Sequence, residues 1–348
     1  MGNLLAYSGS TTKIRAIRSR LLTDSDYSEL STMKSVTEAL GYLKRHPGYQ
    51  KLFADIDETT LHRGEVEKIL NNAIFIDFQK IYRFTSGQQR NLLDLYFQRY
   101  EIAILKRCMR MIFDHRDITL DLTIFKTFFE KHSDIDLQKI SESRTLEEFM
   151  SSLQGSIYFN ALDRLSHLTR PTLWDYEMAI DLFYFKWFWK NKDKMAHKED
   201  KKIFMDSYGT KMDLLNVRWI NRSKKYFNMP FPEIYAHLIP VQYRLKKEDI
   251  QNLVEASTME EFNTAVKNTY YGRHYPEYSS DTLDSTYNMI RCSIQQKNAL
   301  KNPYSIATVI SFLFEKEHEI DKLTTVLECI RYGLTQDEIL EFILRNKK

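Results

Sequence analysis

The chain has 348 residues, enough for two or three ordinary domains. Ten glycines and seven prolines make about 5% of it, against roughly 12% in an average protein, which argues against a strand-and-turn architecture and for an all-α fold. A net charge of +3 among 97 charged side chains is too balanced for nucleic acid to be the main partner.

Residues 10–22 read as the first helix, with Ile14, Ile17 and Leu21 on one face and Lys13, Arg15, Arg18 and Arg20 on the rest. The run Thr23-Asp24-Ser25-Asp26 breaks it and caps the next element. Helices are then expected over 29–45, 64–81 and 88–113. The last is long and amphipathic, with Leu93, Phe97, Tyr100, Ile104, Cys108 and Met111 at steps of four or three. A first joint is expected at 113–117 and a second at Met229-Pro230-Phe231-Pro232, where two prolines restrict the backbone. The charged stretch 190–202 has no apolar stripe and reads as an exposed loop or helix end. The basic runs 13–20 and 222–225 read as solvated helix faces. The most apolar stretch, 178–189, contains Asp181 and Lys186 and falls short of the ~20 apolar residues a spanning helix needs, so any membrane role is expected to be peripheral. The start lacks a signal-peptide layout, and Ala6 stands where a myristoylation motif wants Ser or Thr. Three scattered cysteines without a CxxC fit a reducing compartment.

One segment recurs three times: SVTEALGYLKRHPGY at 35–49, RTLEEFMSSLQGSIY at 144–158 and STMEEFNTAVKNTYY at 257–271. Val36 to Leu146 is a step of 110, and Leu146 to Met259 a step of 113. Each copy has a Ser or Thr near its start and continues with acids within the first turn: Glu38, then Glu147 and Glu148, then Glu260 and Glu261. That is the chemistry of a helix N-terminus. Apolar residues follow at helical spacing, and a tyrosine ends each copy: Tyr49, Tyr158, Tyr271.

A second box follows in the same order: EIAILK at 101–106, DLLNVR at 213–218 and EIDKLT at 319–324. Each has an acid, an aliphatic neighbour and a polar residue five positions on. Two boxes in one order, three times, imply internal triplication into helical domains 1–116, 117–229 and 230–348. Asp213 and Arg218 are five apart, about 140° around a helix, so they are expected to reach different neighbours rather than each other. Glu101, Lys106, Asp213, Arg218 and Glu319 are the candidate contacts, between repeats or with partners.

No motif for an active site stands in the chain: GxxxxGK[ST], GxGxxG after a strand, GxSxG and HExxH are all missing. Glu315 and His318 could share a helix face as metal ligands, but no second ligand motif accompanies them, and a solvated charged face is the simpler reading. Cys108 and Cys329 fall on apolar faces, as core cysteines do. No catalytic residue, cofactor or metal is therefore expected.

Some of these residues resemble the C subunit of the V-type (archaeal A-type) rotary ATPase, a relative of the d subunit of the eukaryotic enzyme. The resemblance spans essentially the whole chain and is most specific at Asn302-Pro303-Tyr304, then SFLFEKEHEI at 311–320, then Leu323. The DLLNVR box is similar to the family's D-I-x-N-L-K/R, and residues 7–22 resemble its Y-x-N-A-R-V-R-A start. The chain departs from the family at 8–12, which lacks Asn-Ala-Arg, at Ile104 in place of Asn, and at Lys322 and Thr324. The resemblance implies three helical domains in a pseudo-threefold funnel without an active site. It implies a peripheral position on the cytoplasmic face of the membrane, between the proteolipid rotor ring and the central stalk, coupling ATP hydrolysis or synthesis to H+ or Na+ transport. Neither nucleic acid nor direct nucleotide binding is expected, given the balanced charge and the missing GxxxxGK[ST] loop. The alternative is an all-helical scaffold for a soluble protein partner, although a period near 110 is long for a solenoid.

Overall fold

The computed structural model describes residues 2–54, 56–57, 63–115, 122–166, 170–194 and 198–344. Every regular element among them is helical, so the protein is all-α. The first copy and its surroundings give α1 (Gly2–Arg18), α2 (Asp24–Leu30), α3 (Val36–Arg45), α4 (Gln50–Phe53), α5 (Arg63–Tyr82) and α6 (Gly87–Phe113). The middle gives α7 (Thr123–His132), α8 (Leu137–Glu142), α9 (Leu146–Ser152), α10 (Phe159–Ser166), α11 (Leu173–Lys190), α12 (Lys198–Phe204) and α13 (Thr210–Phe227). The last third gives α14 (Phe231–His237), α15 (Lys247–Glu255), α16 (Met259–Asn268), α17 (Tyr270–His274), α18 (Leu283–Lys301), α19 (Ile306–Arg331) and α20 (Gln336–Leu344).

The three copies start their helices by the same local chemistry. Ser35 Oγ, Thr145 Oγ1 and Thr258 Oγ1 accept the amides of Glu38, Glu148 and Glu261 at 3.2, 3.2 and 3.1 Å. The three glutamates reach back to the amides of Lys34, Arg144 and Ser257 at 2.9, 2.8 and 2.7 Å. Two orphan donors are thus satisfied at each start. The terminal tyrosines Tyr49, Tyr158 and Tyr271 are all buried.

The helix expected over 29–45 is two helices. Ser31 ends α2 by donating its amide to the Tyr27 and Glu29 carbonyls, and Ser35 caps α3. The hydroxyls of Ser31 and Thr32 bond to the carbonyls of Ser28 and Glu29, giving the backbone an alternative to a continuous ladder. The expected joint at 113–117 begins where α6 ends and His115 takes φ +51°; residues 116–117 lie outside those described. At the second joint α13 ends before Asn228, with φ +44°, and Pro230 and Pro232 lead into α14.

The chain forms two compact units, one of Met1–Arg90, Ala196–Lys211 and Asn263–Lys348, the other of Asn91–Met195 and Met212–Phe262. In the first, α19 is the core: 17 of its 26 residues are buried, against α1, α3, α5, α12, α18 and α20. Its residues 306–314, apolar but for Thr308 and Ser311, are buried without a break, as a stretch apolar on all sides should be. Of the stretch 190–202, read from sequence as an exposed loop or helix end, residues 195–197 lie outside those described, and the reading fails at Asn191, which is buried, and most fully at Asp200. This side chain is 2% exposed and accepts from Tyr7 Oη at 2.9 Å and from the Ile306 amide at 3.3 Å, where it fastens the start of α19. In the second unit, Phe97 of α6 meets Phe128 and Phe129 of α7 with ring centroids 4.8 and 4.7 Å apart. Charged pairs join α6 to α11: Lys106 to Asp181 at 2.5 Å, and Arg110 to Glu177 at 2.5 Å.

Candidate functional site

The acids that open the second boxes are all buried: Glu101 on α6 is 6% exposed, Asp213 on α13 0% and Glu319 on α19 5%. A buried carboxylate needs hydrogen-bond donors to offset lost hydration. Each of the three finds them in the chain segment that leads into, or closes, a different copy.

Glu319 belongs to the third box and bonds to the first copy. Its Oε1 accepts from Tyr49 Oη at 2.6 Å, and its Oε2 from the Leu22 amide at 2.6 Å, one residue before the Thr23 cap of α2. Lys316, one turn earlier and 2% exposed, donates to the same Oε1 at 2.6 Å and to Tyr49 Oη at 3.3 Å, with its ammonium 4.5 Å from the Tyr49 ring centroid. The Glu319 carbonyl accepts from Tyr27 Oη at 3.2 Å. Burial, and then the Glu319 charge, hold the Tyr49 phenol well above its ordinary pKa, so it acts as a donor.

Glu101 belongs to the first box and bonds to the second copy. Its Oε2 accepts from Tyr158 Oη at 2.5 Å and its Oε1 from the Ser133 hydroxyl, while Ser133 Oγ accepts the Ile135 amide at 3.1 Å. Ile135 precedes Asp136, the cap of α8, just as Leu22 precedes the cap of α2. Burial raises the Glu101 pKa, opposed by the Ser133 and Tyr158 hydroxyls and reinforced by Asp134.

Asp213 belongs to the second box and bonds to the approach to the third copy. Its Oδ2 accepts the amides of Arg244 and Leu245 at 2.6 and 3.1 Å, and its Oδ1 that of Tyr243 at 3.2 Å. Leu245 again precedes a helix cap, Lys246 of α15. One turn along α13, Asn216 brackets Ile239, accepting its amide at 2.8 Å and donating to its carbonyl at 3.0 Å. At the matching places the first box has the buried Ile104. The third has Lys322, whose ammonium lies 5.6 Å from the Tyr27 ring centroid.

Of the other two candidates, Lys106 pairs with Asp181 inside the second unit, and Arg218 is half-buried on α13. Sequence reasoning did not connect Tyr49 or Tyr158 to the acids, nor did it single out Lys316. The signal was present, since a tyrosine closes every copy and an acid opens every second box.

This arrangement holds segments together, each of the three acids being buried and hydrogen-bonded within the chain. Glu315 is taken by Arg18 at 2.6 Å, and His318 stacks on Phe314 with centroids 6.1 Å apart. Burial, with the charges of Lys322 and Arg291, lowers the His318 pKa to about 4. Among the described residues no group of three or more His, Cys, Asp or Glu could hold a metal, and no helix is long and apolar enough to cross a membrane.

Similarity to known proteins runs nearly from end to end. The profile described as ATP synthase (C/AC39) subunit matches residues 10–342. The C subunit of the A-type ATP synthase of Methanosphaera stadtmanae is 22% identical, the match covering 97% of this chain and 88% of the relative. Its counterpart in Methanosarcina mazei is 24% identical over 96% of this chain and 91% of its own length. That of Methanocaldococcus jannaschii is 20% identical over 98% and 87%. On a match that leaves out only the ends, this chain belongs to the ATP synthase (C/AC39) subunit family.

Proposed function

We propose that the chain is a non-catalytic adaptor in the central rotor of a V-type or A-type ion-translocating ATPase. In this role it caps the proteolipid rotor ring on the cytoplasmic face of the membrane and forms the socket for the central stalk. ATP hydrolysis or synthesis is thereby coupled to H+ or Na+ transport. Three helical domains, 1–116, 117–229 and 230–348, form a pseudo-threefold funnel for the stalk.

The observation that carries this reading is the family match over residues 10–342. The geometry supports it. A joint that transmits torque must resist deformation, since moving one charge against 100 mV already costs about 2.3 kcal/mol. The buried acids Glu101, Asp213 and Glu319 each tie one copy to the next in the order first to second, second to third, third to first. At 0–6% exposure they act on partners through the shape of the adaptor rather than by touching them.

The test is an affinity pull-down of the tagged chain from gently solubilised host membranes. Recovery of the ring, the stalk and the nucleotide-binding proteins of the ATPase together is the expected result. A chain that comes down alone, or with a soluble protein and none of these, would overturn the adaptor reading in favour of a helical scaffold.

A further inference from the structure

We propose that a basic cavity in the first unit binds a small phosphate-bearing anion. The cavity encloses about 290 Å³ between α1, the Pro47–Leu52 segment, α5 and the middle of α19. That is roughly the space of ten water molecules, at the lower edge of small-ligand pockets and too narrow for a partner's helix.

Its charges do not balance. Two of the five lining cations are already neutralised: Lys80 pairs with Asp77 at 2.7 Å, and Lys316, at the buried end, pairs with Glu319 at 2.6 Å. Lys13, Arg20 and Lys51 remain. Among the described residues none of their side chains forms an ion pair; Lys13 rests its ammonium 5.4 Å from the Phe84 ring centroid. Lys13, Arg20 and Lys51, from two separate stretches of chain, thus line one concave space, Arg20 and Lys51 at its exposed rim, and the single carboxylate that lines it, Asp77, is already paired.

Like charges brought together around a recess repel each other and are costly unless an anion joins them. Apolar walls, here including Ile17 and Ile76, strengthen the field inside such a recess. Arg20 supplies the planar fork that suits phosphate oxygens, and the two lysines supply point charges. The chain path also sets one wall of the recess. Gly48 lines it, and a Cβ at that position would stand 2.3 Å from the Arg20 carbonyl, so only glycine lets the Pro47–Leu52 segment lie this close to the end of α1. The basic run 13–20 reads from sequence as a solvated face; Arg15 and Arg20 are indeed exposed, and Lys13 and Arg20 also line the cavity.

The test is calorimetric titration of the intact chain with pyrophosphate, at low and at physiological ionic strength. Saturable binding at one site is expected. Arg20→Glu and Lys51→Glu should each weaken it at least tenfold, with helical content unchanged by circular dichroism. Lys267→Glu, an exposed charge reversal on α16, should leave it unaltered. Sedimentation with phosphatidylglycerol vesicles separates the two sources of phosphate. Vesicle binding that pyrophosphate displaces and Arg20→Glu abolishes identifies a lipid headgroup; pyrophosphate binding without vesicle binding identifies a soluble anion. No saturable binding of pyrophosphate, or an equal loss in Lys267→Glu, overturns the proposal.

Discussion

Glu101 shows what a buried carboxylate costs when only hydroxyls meet it. The Ser133 and Tyr158 hydroxyls favour its ionised form, but burial outweighs them and Asp134 adds to the upward shift. A carboxyl whose folded pKa lies above its unfolded value binds its proton more tightly in the folded state. Its stabilising contribution is full below about pH 4.3 and is lost as pH rises through the raised folded value. The substitution Glu101→Gln keeps an acceptor for one hydroxyl and removes the titration. The free-energy difference between variant and parent should therefore shift in favour of the variant as pH is raised from about 4 to about 7. Urea unfolding at several pH values reads this directly. A difference that does not change with pH would mean that Glu101 ionises in the folded chain as freely as in the unfolded one.

At the level of elements, short helices depend on their ends more than long ones do. Helix α9 has seven residues, and its start is fixed by Thr145 and Glu148 in a reciprocal pair of hydrogen bonds. Thr145→Ala removes the acceptor for the Glu148 amide and should cost about 1 kcal/mol, seen as a lower urea midpoint at unchanged slope. An unchanged midpoint would show that packing of the buried Phe149 and Leu153 holds α9 without its cap. Such ends are readable in sequence because the capping residue and its partner are three positions apart. Long periodic elements are readable for a similar reason: the helices read at 64–81 and 88–113 are α5 and α6, each differing by one residue at the ends that move. The break between α2 and α3 is not legible in the sequence, because apolar spacing runs on through 29–45 while Ser31, Thr32 and Ser35 redirect the backbone. The burial of Asp200 is not legible either, because a charge inside a charged run looks solvated until Tyr7, 193 positions earlier, is brought beside it. The candidate site divides in the same way. The recurrence of Glu101, Asp213 and Glu319 is a property of the sequence, but their partners are not. Glu101 meets Tyr158 across 57 positions and Glu319 meets Tyr49 across 270, and no periodicity encodes either separation.

For the whole molecule, the question is whether these acids fasten the chain to itself or meet other proteins. Burial and hydrogen bonding favour the first role, and the two roles differ in what a mutation does. Tyr49→Phe strips one donor from Glu319 and leaves Lys316 and the Leu22 amide in place. Tyr158→Phe leaves Glu101 with the Ser133 hydroxyl alone. A hydrogen bond to a charged group is worth about 1.5–3 kcal/mol, and the loss at Glu101 should be the larger because less remains to offset its burial. The two hydroxyls share no partner, so their costs should add in the double variant. Neither substitution alters a surface, since both rings are buried. If the acids are internal fasteners, recovery of the ATPase's other components with the tagged variants should match the parent at low temperature. It should fall only as each variant approaches its own lowered melting point. Recovery that fails at low temperature while the urea midpoint stands unchanged would mean that the hydroxyl–carboxylate pairs open toward a partner. The chain would then be assembled around that partner instead of being preformed to receive it.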